Sequence, residues 1–335
     1  MKRILSILFV ALFAVVMHAE GMMHLLCGGY DAKVMSAAEM DSVLGDEAKG
    51  RYRLEWENKQ SLFRHSFLAD YYLVDTQKNT RIPISDQPVR DAVMSPNGKY
   101  VVYAKADNNL YIYKIDFKTE VAITNEENLD IFNGISDWLY EEEFGVTGLF
   151  AFSPDSKMLA FVRLDETDVP TFEWQTFLGE EEKGQGLYPR VHSLRYPKAG
   201  EKNAKASLCV YDLYYKTIRT VELPLKGEYI PRISWTHQPA VEKGKEPVPA
   251  NVVALTLNRD QTKMVVYTAN PKSTVAQPFY SEESKECYVD YDLFNQWQWL
   301  SDGRVIVVSE KGGYTQAYLY SSQGMEQKLL TPEQR

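Results

Sequence analysis

The chain has 335 residues, of which 44% are hydrophobic and 25% charged, and 37 Lys and Arg stand against 46 Asp and Glu for a net charge of -9. That balance describes a folded chain long enough for a substantial core, not a disordered one, and its acidity excludes nucleic acid as a partner, because phosphate binding needs a dense basic face. Cys27, Cys209 and Cys287 are too few and too scattered for a disulfide framework or a zinc site, and the five histidines show no metal-ligand spacing, so neither a metal nor a cofactor is expected.

At the N-terminus Lys2 and Arg3 precede an apolar run over 4–16, and Met17-His18-Ala19 offers a small-residue cleavage site before Glu20. The pattern predicts a signal peptide over 1–19 and an exported protein, periplasmic or secreted; the run is short for a membrane span, and an uncleaved signal anchor is the rival reading. Cys27 follows Leu25-Leu26, where a lipoprotein signal prefers a small residue, so lipidation is not expected. Residues 20–60 read as a lead-in segment. Within it Ser36-Ala37-Ala38-Glu39 is a capping-box pattern, and Met35, Met40, Val43 and Leu44 share a face, which predicts a short helix over 35–44.

From residue 67 onward the chain reads as strand after strand. Segments 68–74, 101–104, 110–115, 158–162, 208–213, 252–257, 264–267, 305–308 and 317–320 are short, aromatic or β-branched, and bounded by turn residues. A unit recurs at Ser95-Pro96-Asn97-Gly98-Lys99, Ser153-Pro154-Asp155-Ser156-Lys157 and Leu300-Ser301-Asp302-Gly303-Arg304, with a looser copy over 258–263. Each copy sets a tight turn before an apolar strand, and a second strand follows, as over 108–113. A period of about 40 to 50 residues with four strands per repeat is the signature of a β-propeller blade. The expected fold is therefore all-β, a partial propeller over 61–335. The stretched spacing from Ser95 to Ser153 marks 126–143 as an insertion projecting from the blades, while 180–186 and 243–249 read as a polar loop and a linker. An open fan of blades leaves unpaired edges. Either another copy or chain closes the ring, or the chain is the N-terminal part of a longer protein, and the second is preferred.

Residues 134–144 carry Glu141, Glu142 and Glu143 behind Trp138 and Tyr140. Three adjacent carboxylates repel one another unless a cation sits among them, and a bound ammonium is such a cation. The bland alternative is a solvated turn or helix start; the large flanking rings argue against a loose surface run.

Asp137-Trp138-Leu139-Tyr140-Glu141-Glu142-Glu143 resembles the Asp-Trp-Val-Tyr-Glu-Glu-Glu segment of the dipeptidyl peptidase IV family, which are prolyl oligopeptidase-type serine peptidases. Phe63-Arg64-His65-Ser66-Phe67 is similar to the family's Trp-Arg-His-Ser-Tyr, and Leu164-Asp165-Glu166-Thr167-Asp168-Val169-Pro170 to its Asn-Asp-Thr-Glu-Val-Pro. Ser153-Pro154-Asp155 and Tyr196-Pro197-Lys198-Ala199-Gly200 fall in the family's order, and the likeness is firmest over 60–235. Phe144-Gly145 stands where mammalian members carry Val-Phe, with one residue fewer before Ser153-Pro154, which resembles the bacterial branch and leaves open which aromatic lines the pocket floor. Counting outer strand pairs gives about four to five blades, and the resemblance implies that they belong to an eight-bladed propeller. It implies that Glu142 and Glu143 grip the free amino terminus of a peptide and that Arg64 holds the carbonyl of its first residue. Glu141 is expected to make a structural hydrogen bond within its turn, and Trp138 and Tyr140 to anchor the segment on a blade. From the residues alone, Arg64 between Phe63 and Phe67 is also an arginine snorkelling from a strand edge. A further aromatic-and-Arg contact expected over 288–298 is not assigned to a residue.

A serine peptidase needs a nucleophile, a base and an orienting group, which in this family lie on a C-terminal α/β-hydrolase domain around Gly-x-Ser-x-Gly. No such pentapeptide occurs in the chain, and His192 and His237 read as packing residues. The chain is thus expected to hold no catalytic residue. It would be the substrate-recognition propeller of a serine-type dipeptidyl aminopeptidase releasing Xaa-Pro or Xaa-Ala dipeptides, completed by a hydrolase domain, with a homodimer implied for the intact protein. The alternative is a catalytically silent propeller that works as a binding module.

Overall fold

A computed structural model of the protein describes residues 50–177, 188–225, 228–239 and 248–331. The expected signal peptide, the helix over 35–44, the loop over 180–186 and most of the 243–249 linker lie outside them. The described residues fall into two compact units: one takes those up to Glu55, Tyr72–Ile82 and those from Ser234 onward, the other Trp56–Tyr71 and those within Pro83–Ile233.

β1 (Tyr52–Ser61), β2 (Phe67–Asp75) and β3 (Thr80–Pro83) form a three-stranded sheet in chain order. Strand structure thus begins ahead of residue 61, inside the segment read as a lead-in. The alternation Tyr52-Arg53-Leu54-Glu55-Trp56-Glu57 is the period-two pattern of a strand, although Trp56 stays exposed. β4 (Arg90–Met94), β5 (Tyr100–Ala104), β6 (Leu110–Lys114) and β7 (Thr119–Ala122) follow as a four-stranded antiparallel sheet.

The next sheet is built on β8 (Ile131–Asn133), β10 (Met158–Asp165), β13 (Lys205–Asp212) and β14 (Thr217–Thr220), with β9 (Phe150–Phe152) also pairing to β10. Between β8 and β9 lies the helix α1 (Trp138–Phe144). β11 (Thr171–Thr176) and β12 (Arg190–Arg195) pair as a separate hairpin, whose His192 ring stacks on Trp174 with centroids 5.3 Å apart. His192 is therefore a packing residue, as read from sequence. β15 (Tyr229–Trp235), β16 (Val252–Leu257), β17 (Lys263–Ala269) and β18 (Ala276–Glu283) make a second four-stranded sheet. β19 (Gln298–Trp299), β20 (Val305–Ser309), β21 (Gln316–Tyr320) and β22 (Glu326–Leu329) make a third.

The recurring turns explain why the strands repeat. Ser95 Oγ accepts from the Tyr100 amide at 3.0 Å, and Ser153 Oγ from the Met158 amide at 2.9 Å. Asn97, Asp155 and Asp302 each accept from the amide two residues on. The fourth residue of each turn is left-handed, with φ of 67° at Gly98, 57° at Ser156, 56° at Gln261 and 86° at Gly303. A left-handed fourth residue is common to all four turns, and a side-chain oxygen at the start reinforces those beginning at Ser95, Ser153 and Asn258, but not the one beginning at Leu300. The turned-back strands bury a shared core in which Val102, Leu110, Ile112, Ile135, Leu159, Phe161 and Tyr211 meet. Each such side chain taken fully out of water contributes about 1.5 to 3 kcal/mol.

One expectation is corrected here. The segment 126–143 does not simply project: β8 pairs antiparallel with β10, Asn133 opposite Arg163 and Ile131 opposite Asp165, and Ile135, Ser136 and Asp137 are buried. A three-residue strand in polar surroundings carries too little periodicity to be read from sequence. Cys209 is buried and Cys287 exposed, both as free thiols. Among the described residues no helix is long and apolar enough to cross a membrane.

Candidate functional site

Helix α1 is only seven residues long, too short to persist by its own hydrogen bonds. It is fixed from several sides. Asp137 is its N-cap, accepting from the Tyr140 amide at 2.7 Å. Gly145 ends it in the left-handed conformation, φ 59°, and returns its N–H to the Glu141 carbonyl at 3.1 Å. The buried Tyr140 hydroxyl accepts from the Ile230 amide at 3.0 Å, and the Arg232 guanidinium donates to the Phe144 carbonyl at 2.8 Å. Tyr140, Phe144 and Tyr229 pack edge to face, and Trp138 lies 4.7 Å from the Tyr196 ring. Trp138 and Tyr140 thus anchor the segment, as expected.

The three glutamates meet three different environments. Glu141 is fully buried, and its Oε1 accepts from the His65 amide at 2.6 Å and the Ser66 amide at 2.8 Å. The expected hydrogen bond within the turn is therefore corrected to a bond with the distant connection between β1 and β2, because the helix points this side chain inward, away from its own turn. Glu142 is half-buried, with Oε2 3.0 Å from Arg64 Nε. Glu143, next along the helix, is exposed. Arg64 sits in the 62–66 connection, its side chain 71% exposed against 17% for Glu142. The structure brings Arg64 and Glu142 into contact, and Glu143 is the next residue of the helix that carries Glu142.

Sequence reasoning missed a buried acid pair beneath the site. Asp137 and Glu166 are both buried and share a side-chain hydrogen bond. Burial, then the charge of Asp137, pushes Glu166 up to about 9, and burial pushes Asp137 up to about 6. The pair holds a proton near neutrality, so the N-cap is pinned without two bare carboxylates facing each other. Beside it, Arg195 pairs with Asp130 at 2.5 Å. No local motif marks these partners. The one usable signal is the two acids' presence in separate stretches that resemble one family.

The four-stranded sheets with their repeated turns are those of a β-propeller protein. A family profile described as the dipeptidyl peptidase IV (DPP IV) N-terminal region matches residues 47–334, and the chain belongs to that family. A protein of Emericella nidulans named "Probable dipeptidyl peptidase 4" is 30% identical over 290 residues, covering 82% of this chain and 36% of that protein. The Aspergillus niger protein named "Probable dipeptidyl-aminopeptidase B" is 37% identical over 176 residues, covering 50% of this chain and 19% of that protein. The crystal structure of Porphyromonas gingivalis dipeptidyl peptidase 4 superimposes with a TM-score of 0.74 at 36% identity, covering 85% of this chain and 39% of that one. The chain thus spans well under half the length of the relatives it matches.

Proposed function

We propose that this chain is the substrate-recognition region of an exported, serine-type dipeptidyl aminopeptidase that removes Xaa-Pro or Xaa-Ala dipeptides from peptide N-termini. Its partner is a peptide with a free amino terminus, and the bond is cut by a hydrolase domain of the same protein. In this reading Glu142 and Glu143 hold the α-ammonium while Arg64, held against Glu142, turns its remaining donors to the carbonyl of the first residue. The observation that carries the reading is the contact of Arg64 with Glu142 at 3.0 Å across the helix that also bears Glu143.

The chemistry follows from what each group offers. An ammonium has three donors in a compact head, and two carboxylates side by side accept from it without competing for one direction. A charge-assisted hydrogen bond of this kind contributes about 1.5 to 3 kcal/mol. Because a dipeptide places its second carbonyl at a fixed distance from the amine, binding at the amine selects which bond meets the nucleophile. Remote binding energy is then expressed in kcat as well as KM.

The test is hydrolysis of a chromogenic H-Xaa-Pro substrate by the full-length protein. We expect Glu142→Ala and Glu143→Ala each to lower kcat/KM by about ten- to a hundredfold, the free-energy equivalent of one lost charge-assisted bond. Activity in neither the parent nor the variants would favour a catalytically silent binding module; near wild-type kinetics in both variants would remove the ammonium assignment.

A further inference from the structure

We propose that Glu141, which accepts the backbone N–H groups of His65 and Ser66, is a positioning residue that locks the Arg64 connection onto the helix bearing Glu142 and Glu143. The inference rests on the reading that those two glutamates hold a peptide's ammonium, and extends it to a residue that touches no substrate.

Three observations lead to it. Oε1 of Glu141 takes both amides that directly follow Arg64, at 2.6 and 2.8 Å, and the connection is closed on itself by the Leu62 amide donating to the Ser66 carbonyl at 3.0 Å. Two successive N–H groups converging on one anionic oxygen make a backbone nest with its anion supplied by the protein. Second, the Arg64 side chain is 71% exposed, and an ion pair so open to water holds little on its own. Charge-assisted bonds in a buried setting are much stronger, so the Glu141 contacts, not the Arg64–Glu142 pair, decide where the Arg64 backbone sits. Third, Glu141 is poorly chosen for stability alone. It is fully buried, and its Oε2 and the neighbouring Ser66 hydroxyl are buried with no hydrogen-bond partner among the described residues. A carboxylate in that position carries a desolvation penalty that an apolar residue would not. What the carboxylate provides is a fixed register between two stretches far apart in sequence.

The arrangement is stiff on its other side as well. Asp137, Tyr140 and Arg232 hold the helix, so the geometry fixed at Glu141 passes to Glu142, the next residue. The guanidinium and the carboxylates are thereby set before a substrate arrives, which spares the ordering of a surface loop and a long side chain on binding.

The test uses the full-length protein and two readouts, amide hydrogen exchange of the peptide spanning 62–67 and kinetics on H-Xaa-Pro. Glu141→Ala should speed exchange there at least about tenfold while leaving the blade strands protected. It should also lower kcat/KM about tenfold, chiefly through KM, with Glu141→Gln, which keeps an acceptor, restoring most of both. In an Arg64→Ala background the same change should cost less than about twofold more, because the effect runs through Arg64. If Glu141→Ala does not fold, Glu141→Asp, shorter by one methylene, carries the same comparison. Unchanged exchange over 62–67 overturns the lock whatever the kinetics show. Losses that multiply fully with Arg64→Ala overturn the route through Arg64. Wild-type kinetics in Glu142→Ala and Glu143→Ala would instead remove the reading beneath it, an outcome that the exchange measurement, needing no substrate, keeps separate.

Discussion

The blade turns and the α1 site hold themselves together over different distances along the chain. Ser95 and Ser153 bond to amides five residues on, and the Phe161 and Val102 strands bury apolar side chains against their neighbours. In the site, Glu141 reaches back to His65 and Ser66, Arg64 meets Glu142, and Tyr140 reaches forward to Ile230. The blades are stabilised by repeated local patterns, whereas the site is a junction of polar contacts, each made once. Damage to a blade should therefore lower stability and leave the chemistry of folded molecules alone. Damage at the junction should reach the chemistry first.

The sharpest way to break that contrast begins in the blade core. Phe161 is 1% exposed, and Phe161→Ala should cost about 3 to 5 kcal/mol by lost transfer energy and a residual cavity. Denaturant unfolding measures it, and kcat/KM per folded full-length molecule should stay near wild type. A large fall in that ratio would mean that the blade and the junction are not separable.

Tyr140→Phe is smaller and falls at the junction. It removes the oxygen that accepts from Ile230 and leaves that buried amide unpaired, a cost of about 1 to 3 kcal/mol. Because Tyr140 sits in the helix that carries Glu142 and Glu143, KM for H-Xaa-Pro should rise although no substrate contact is removed. A loss of stability with KM untouched would place Tyr140 with the blades.

A further expected effect is on pH dependence. Glu166 is pushed from its ordinary 4.5 up to about 9, so between these values the folded chain keeps a proton that the unfolded chain has released. The stabilisation is complete below about pH 4.5 and is lost as the pH rises towards about 9. Thermal unfolding from pH 6 to pH 9 should show Tm falling by a few degrees, and Glu166→Gln, which keeps a neutral donor for Asp137, should flatten the slope. An unchanged slope would show that Asp137 and Glu166 do not share the proton.

The same contrast explains what was legible in the sequence. Predicted strands 101–104 and 252–257 match β5 and β16 because apolar runs bounded by turn residues report local geometry directly. The repeat turns were legible for the same reason, although the left-handed fourth residue was not read from them. β8 was not, since three residues give no period. At the site, the glutamate row stood out by its three adjacent carboxylates, whereas its assignment and the role of Arg64 came only through resemblance. Their junction was invisible: no periodicity says that Glu141 will accept from amides before β2, that Arg232 will cap a helix, or that Asp137 and Glu166 will share a proton. Polar contacts between remote segments depend on the finished fold.

The proposed recognition of a free amine by Glu142 and Glu143 can be measured directly by calorimetric binding to the full-length protein of one Xaa-Pro peptide, compared with the same peptide acetylated at its amino terminus. Acetylation should weaken binding at least about tenfold, and this difference should vanish in the Glu142→Ala/Glu143→Ala double variant. Equal affinity for the two peptides, or a difference that survives the double substitution, would contradict it.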